Sequence, residues 1–109
     1  MKEVDLNDEK VAELKQKHGP DLEMYKFPND DVIVVKPPTP FVWKRFQRDL
    51  ASEKEKDRTN AFEQLVLACL AEPGEAEAKA LFQKYPAALV SLGEIVSKMG
   101  GAGGETKKL

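Results

Sequence analysis

Asp31-Val32-Ile33-Val34-Val35-Lys36-Pro37-Pro38-Thr39-Pro40-Phe41-Val42-Trp43 is the stretch in which the chain changes character. Val32 to Val35 is an unbroken β-branched run, whose stiff side chains suit a pleated strand better than a helix. Lys36-Pro37-Pro38-Thr39-Pro40 is a stiff extended connector, because each proline fixes its own φ and pushes the residue before it out of the helical region. Thr39 stands where an N-cap belongs. Pro40 occupies the first helical position, where a missing N–H costs nothing. Strand therefore gives way to helix here, and the expected class is α+β, mainly α.

On the N-terminal side, Leu22 to Phe27 mixes apolar and polar residues, and Pro28-Asn29-Asp30-Asp31 supplies turn chemistry. Together with Val32 to Val35 this predicts a β-hairpin. Two strands alone are marginal in water, so the hairpin must lean on helices or complete a sheet with a partner. An exposed edge over Leu22 to Val35 would suit strand addition. Further back, Asn7 is placed as a helix cap, with Asp8 and Glu9 at the positive end of the dipole. Leu6 and Val11 are spaced as a staple, and Val11 and Leu14 carry the apolar stripe. His18-Gly19-Pro20 ends this short helix.

On the C-terminal side four helical segments are expected. Val42, Trp43, Phe46 and Leu50 recur at helical spacing, while Ser52 to Arg58 reads as a solvated end. Thr59 is placed to cap the next helix, with Phe62, Leu65, Val66, Cys69 and Leu70 on one face until Glu72-Pro73-Gly74 breaks it. Glu75 to Lys84 brings Ala78, Leu81, Phe82 and Tyr85 together, with a Glu75–Lys79 pair worth roughly 0.3 kcal/mol. Pro86 opens the last helix, whose Leu89, Leu92, Gly93, Ile95, Val96 and Met99 cluster before Gly100-Gly101. The architecture expected is a short N-terminal helix and β-hairpin over residues 5–35, then a bundle of about four helices over 36–99. Residues 1–99 form one domain in this reading, and 100–109 a flexible Gly-rich tail with almost nothing to bury.

A chain of 109 residues is about one domain long. Its 41% hydrophobic residues are enough for a core, and 17 basic against 19 acidic residues leave a net charge of -2. Broad attraction to nucleic acid or an anionic membrane is therefore weak. The single cysteine, Cys69, fits a reducing compartment. Met1-Lys2-Glu3-Val4-Asp5 lacks the apolar run of a signal peptide, and charges interrupt every apolar segment short of membrane length, so the expected location is cytoplasmic.

No catalytic or metal-binding set emerges. His18 sits at a helix end and lacks local partners. Cys69 lies on an apolar helical face, which predicts a buried, inert thiol in place of a nucleophile. One Cys distant from one His gives no credible zinc site, and no cofactor is implied. The glycine-rich tail follows a helix instead of a strand and lacks the Gly-Lys-Ser/Thr order of a phosphate loop. Asp30-Asp31 and Glu53-Glu55-Asp57 read as surface acids. Lys44, Arg45 and Arg48 beside Trp43 and Phe46 could suggest a nucleic-acid face, but rings turned inward and charges outward give the same letters, and Asp49 dilutes the charge.

More informative is a surplus of apolar groups. Phe41, Leu67 and Val90 fall off the main faces of three separate helices, and these are the candidate partner-binding residues. Isolated exposed apolar residues are also ordinary in small helical domains.

The order of these pieces resembles the bacteriophage tail assembly chaperones. Lys36-Pro37-Pro38-Thr39 leads into a helix with Trp43 and Phe46. Asn60-Ala61, Leu65-Val66, Ala68-Cys69, Leu81, Tyr85-Pro86, Leu92-Gly93, Ile95 and Met99-Gly100 follow in the family's C-terminal order. The likeness covers residues 36–101, and residues 5–35 match in outline. The resemblance implies a non-enzymatic factor in the host cytoplasm, absent from the mature virion. Such a factor binds the tape-measure protein and keeps its apolar helices soluble until tail-tube subunits polymerise around it. It also implies, as further partners, the tail-tube protein and a longer frameshifted form of the chain, with Gly100 to Thr106 as the link and Lys107-Lys108 near the slippage site. Self-association stays open. The alternative is a structural tail or connector protein that uses the Leu22 to Val35 edge for strand addition; a small nucleic-acid-binding regulator ranks below both.

Overall fold

The computed structural model describes residues 8–102 and 106–109. The Asn7 cap, the Leu6 half of the staple and Gly103 to Glu105 of the tail lie outside the described residues. In chain order the elements are α1 (Asp8–His18), β1 (Glu23–Lys26), β2 (Val32–Val35), α2 (Pro40–Leu50), α3 (Glu55–Ala68), β3 (Leu70–Glu72), α4 (Glu75–Lys84) and α5 (Ala88–Ser97), followed by a π-helical turn over Lys98–Ala102. The class is α+β and mostly helical, with a small antiparallel sheet ordered β1-β2-β3.

The hairpin forms as its turn residues dictate. Tyr25 faces Ile33 and Lys26 faces Val32 in the ladder. The Asp30 amide donates to the Phe27 carbonyl at 3.0 Å, and the Phe27 amide donates to the Asp31 carbonyl at 2.8 Å. Asp30 takes a left-handed φ of 71°, which fits a turn with Pro28 at its first corner followed by a one-residue bulge. Asp31 is buried, contrary to its reading as a surface acid. Its carboxylate accepts from the Asn29 amide at 2.8 Å, and its own N–H donates to the Asn29 side-chain oxygen at 3.1 Å. Asp31 thus locks the turn from inside, while exposed Asp30 pairs with Lys26 at 3.3 Å.

The third strand comes from the chain itself, so β2 does not offer the exposed edge that the hairpin alone suggested. Val34 pairs with Glu72 and Val35 with Leu70, and the Lys36 amide donates to the Cys69 carbonyl at 2.8 Å. All four β2 residues are buried. Because side chains alternate across a strand, this requires cover on both faces. Ile33 and Val35 join Phe27, Leu65, Val66, Phe82, Leu92 and Val96 in the main core. Val32 and Val34 turn to the opposite face and are buried too; Lys10 of α1, a helix whose Leu14 is buried, reaches Glu72, the β3 partner of Val34, at 3.9 Å.

Thr39 caps α2 as expected, accepting from the Val42 amide at 3.2 Å, with Pro40 in the first turn. Some boundaries differ from the sequence reading, and α5 starts at Ala88, two residues after Pro86. α3 starts at Glu55, not after Thr59, because Ser52 organises the turn before it. The Lys54 amide donates to Ser52 Oγ at 3.1 Å, Ser52 Oγ donates to Asp57 at 2.8 Å, and Arg58 donates to the Ser52 carbonyl. The four C-terminal helices are also not an uninterrupted bundle, since β3 intervenes between α3 and α4. Leu70, expected on the face of α3, belongs to that strand. The π-helical turn over Lys98–Ala102 is broken at Gly101, whose φ is 105°. Residues 106–109 are exposed.

Two outcomes test this account. Asp30→Gly relieves a left-handed L-residue and should raise stability by about 0.5–1 kcal/mol in a urea melt, given that the exposed Lys26 pair is worth little. His18 is held below its ordinary value of 6.5 by burial, then by Lys36 and Lys17, with Glu72 opposing. The unfolded chain then binds the proton more readily than the folded one, so this contribution is complete above pH 6.5 and is lost as pH falls below it. His18→Gln should flatten the pH dependence of the thermal midpoint as pH falls below 6.5.

Candidate protein-binding groove

α2 and α3 pack through aromatic rings. Phe46 is buried, with its ring 5.2 Å from that of Trp43 and 5.3 Å from that of Phe62, both tilted. One turn beyond Phe46, Leu50 points away from the core and is 43% exposed; Phe62 is 39% exposed. Helical spacing alone had put both in the core. They instead border an apolar groove of about 400 Å³, completed by Gly93, Glu94, Ser97 and Lys98 of α5 and the turn after it.

Gly93 is what lets α5 form this wall. A Cβ placed there would lie 2.6 Å from Phe62 Cδ1 and 2.8 Å from Cε1, closer than real methyl groups approach. The glycine lowers helix propensity by about 1 kcal/mol, and in return the Cδ1–Cε1 edge of the Phe62 ring approaches the α5 backbone closely. On the lip, Glu94 and Lys98 are exposed one turn apart. Among the described residues neither makes an ion pair.

The residues singled out by sequence fall differently. Phe41 is 75% exposed near the start of α2, and Val90 is 56% exposed on α5. Leu67 is partly buried and packs against the core. None of the three lines the groove. Sequence reasoning missed Leu50 and Phe62 because their helical phase matches the core face. The signal that could have found the groove was Gly93 within an otherwise apolar helical face, since a missing Cβ there implies close approach by a large neighbour.

Polar chemistry is sparse. Cys69 is buried, and burial pushes its thiol up to about 11 against a small opposing effect of Lys36. Such a thiol stays protonated near neutrality and is a poor nucleophile. Among the described residues no group of three or more His, Cys, Asp or Glu side chains could hold a metal ion, and no helix is long and apolar enough to cross a membrane.

No family model and no curated protein matches the chain. Its fold is similar to a solved structure, the uncharacterised protein rbstp2171 from Bacillus stearothermophilus, with a TM-score of 0.73 and 21% identity over 91% of this chain and 99% of that one. A likeness at that identity shows a shared fold and transfers no activity.

The Gly93–Phe62 contact can be tested by a double-mutant cycle. Gly93→Ala alone should destabilise by about 1 kcal/mol, because overpacking outweighs the propensity gain. In a Phe62→Ala background the same change should stabilise by a few tenths to about 1 kcal/mol. Urea unfolding of the four proteins reads the sign reversal.

Proposed function

We propose that this chain is a non-enzymatic tail assembly chaperone. In this reading it binds the tape-measure protein in the host cytoplasm, keeps it soluble while tail-tube subunits assemble around it, and is absent from the finished particle. The observation that carries the reading is the groove bordered by Leu50 and Phe62, a part-exposed apolar surface on a small domain with few polar groups suited to chemistry. Apolar client helices can dock in a groove between helices. A shallow site without a deep pocket also permits release. The resemblance over residues 36–101 supplies the identity of the client. It also brings in the tail-tube protein and a longer frameshifted form of the chain as further partners.

A second reading, a structural tail or connector protein, draws on β1. With β2 enclosed between its neighbours, β1 keeps one side without a strand partner among the described residues, and Met24 on it is 54% exposed. Strand addition between subunits would use that edge.

Coexpression of the chain with the tape-measure protein separates the two. A soluble complex that forms only when both are present, with the chain missing from purified particles, is the expected result. Insoluble tape-measure protein in both cases, with the chain recovered from particles, would transfer the assignment to the structural reading.

A further inference from the structure

We propose that the Leu50–Phe62 groove seats a single amphipathic helix of the client, running antiparallel to α5, with an acidic side chain facing Lys98 and a basic one, a turn later, facing Glu94. The name of the client rests on the chaperone reading; the chemistry of the occupant does not.

The groove is lined by Phe46 and Leu50, a turn apart on α2, by Phe62 of α3, and by Gly93 and Ser97, a turn apart on α5. A folded second copy would need roughly 800 Å² on each side for a stable interface, well beyond these few side chains. One helix presenting a short apolar ridge at i, i+3 or i+4, and i+7 needs only a groove of this kind, about 400 Å³ in volume.

Direction follows from the lip. Glu94 and Lys98 stand in the order that favours an intrahelical pair, yet neither is paired among the described residues, so both charges are open to an occupant. A helix antiparallel to α5 passes Lys98 before Glu94 and needs acid first, base four residues later. That order is also the one that stabilises an isolated helix. A parallel helix needs base first, which weakens the helix it must present. Only the antiparallel occupant satisfies its own stability and the lip together.

Two peptides of about 20 residues with the same composition and apolar ridge, one carrying Glu then Lys at i and i+4 and the other Lys then Glu, provide the test. Their affinities are measured by calorimetry at low salt for the wild-type chain, for Glu94→Lys/Lys98→Glu, and for Leu50→Glu, each checked for folding by circular dichroism. The Glu-first peptide should bind the wild type roughly threefold to tenfold more tightly. The charge-swapped chain should lower that ratio at least threefold, which removes any effect of peptide helicity alone. Leu50→Glu, at an exposed position, should weaken both peptides at least tenfold. Failure of either peptide to bind the wild type, a ratio the swap leaves within threefold, or full binding by the Leu50→Glu chain overturns the proposal. Copurification of the tape-measure protein that Leu50→Glu leaves undiminished would also reject this seat while the chaperone reading stands. Absence of copurification with the wild type would reject the chaperone reading, and the peptide ratio would still decide the groove.

Discussion

β2 can be solvated on neither face, and the rest of the molecule is arranged around that constraint. Burying Val32, Ile33, Val34 and Val35 contributes about 1.5–3 kcal/mol per side chain as an upper estimate. Together this rivals the whole net stability of a small domain, about 5–15 kcal/mol. Such a strand needs a hydrogen-bonded neighbour on each side and an apolar layer on each face. β1 and β3 provide the neighbours, the main helical core covers Ile33 and Val35, and Val32 and Val34 are buried as well, on the side where the Lys10–Glu72 ion pair ties α1 to β3. The short β3 is therefore not an ornament between helices. It lets the hairpin complete a sheet without a partner.

The groove arises from the remaining packing. α2 leaves β2 through a proline-stiffened connector whose Thr39 cap fixes where the helix begins. α3 lies against it through Phe46 and Phe62. The Phe62 ring is held against α5 only because position 93 has no side chain. Leu50, at the last turn of α2, is left part-exposed. A single glycine thus links core packing to the shape of the exposed apolar surface.

Much of the fold is legible in the letters. Val32 to Val35, Pro28-Asn29-Asp30-Asp31 and Thr39-Pro40 act locally, through side-chain branching, turn geometry and capping, and each produces the element it implies. β3 is different. Leu70-Ala71-Glu72 has neither the length nor the alternation of a strand, and Leu70 continues the helical phase of α3, so only the long-range demand of β2 for a second neighbour makes it one. The early start of α3 depends on the Ser52–Asp57–Arg58 network, which local propensity does not reveal. The groove is still less legible, because periodicity ranks residues by phase and cannot say whether a helix actually covers a given phase. Leu50 and Phe62 therefore read as core, and Leu67, off phase, read as spare although it is partly buried against the core.

Amide hydrogen exchange tests the central role of β2 most directly. If this strand is paired on both sides and covered on both faces, the Ile33 to Val35 amides should exchange only through global unfolding, with opening free energies equal to the stability measured by urea. Fast exchange of these amides at denaturant concentrations where Leu65, Val66 and Leu92 remain protected would contradict the account, since the helices would then hold together without the strand on which they are argued to depend.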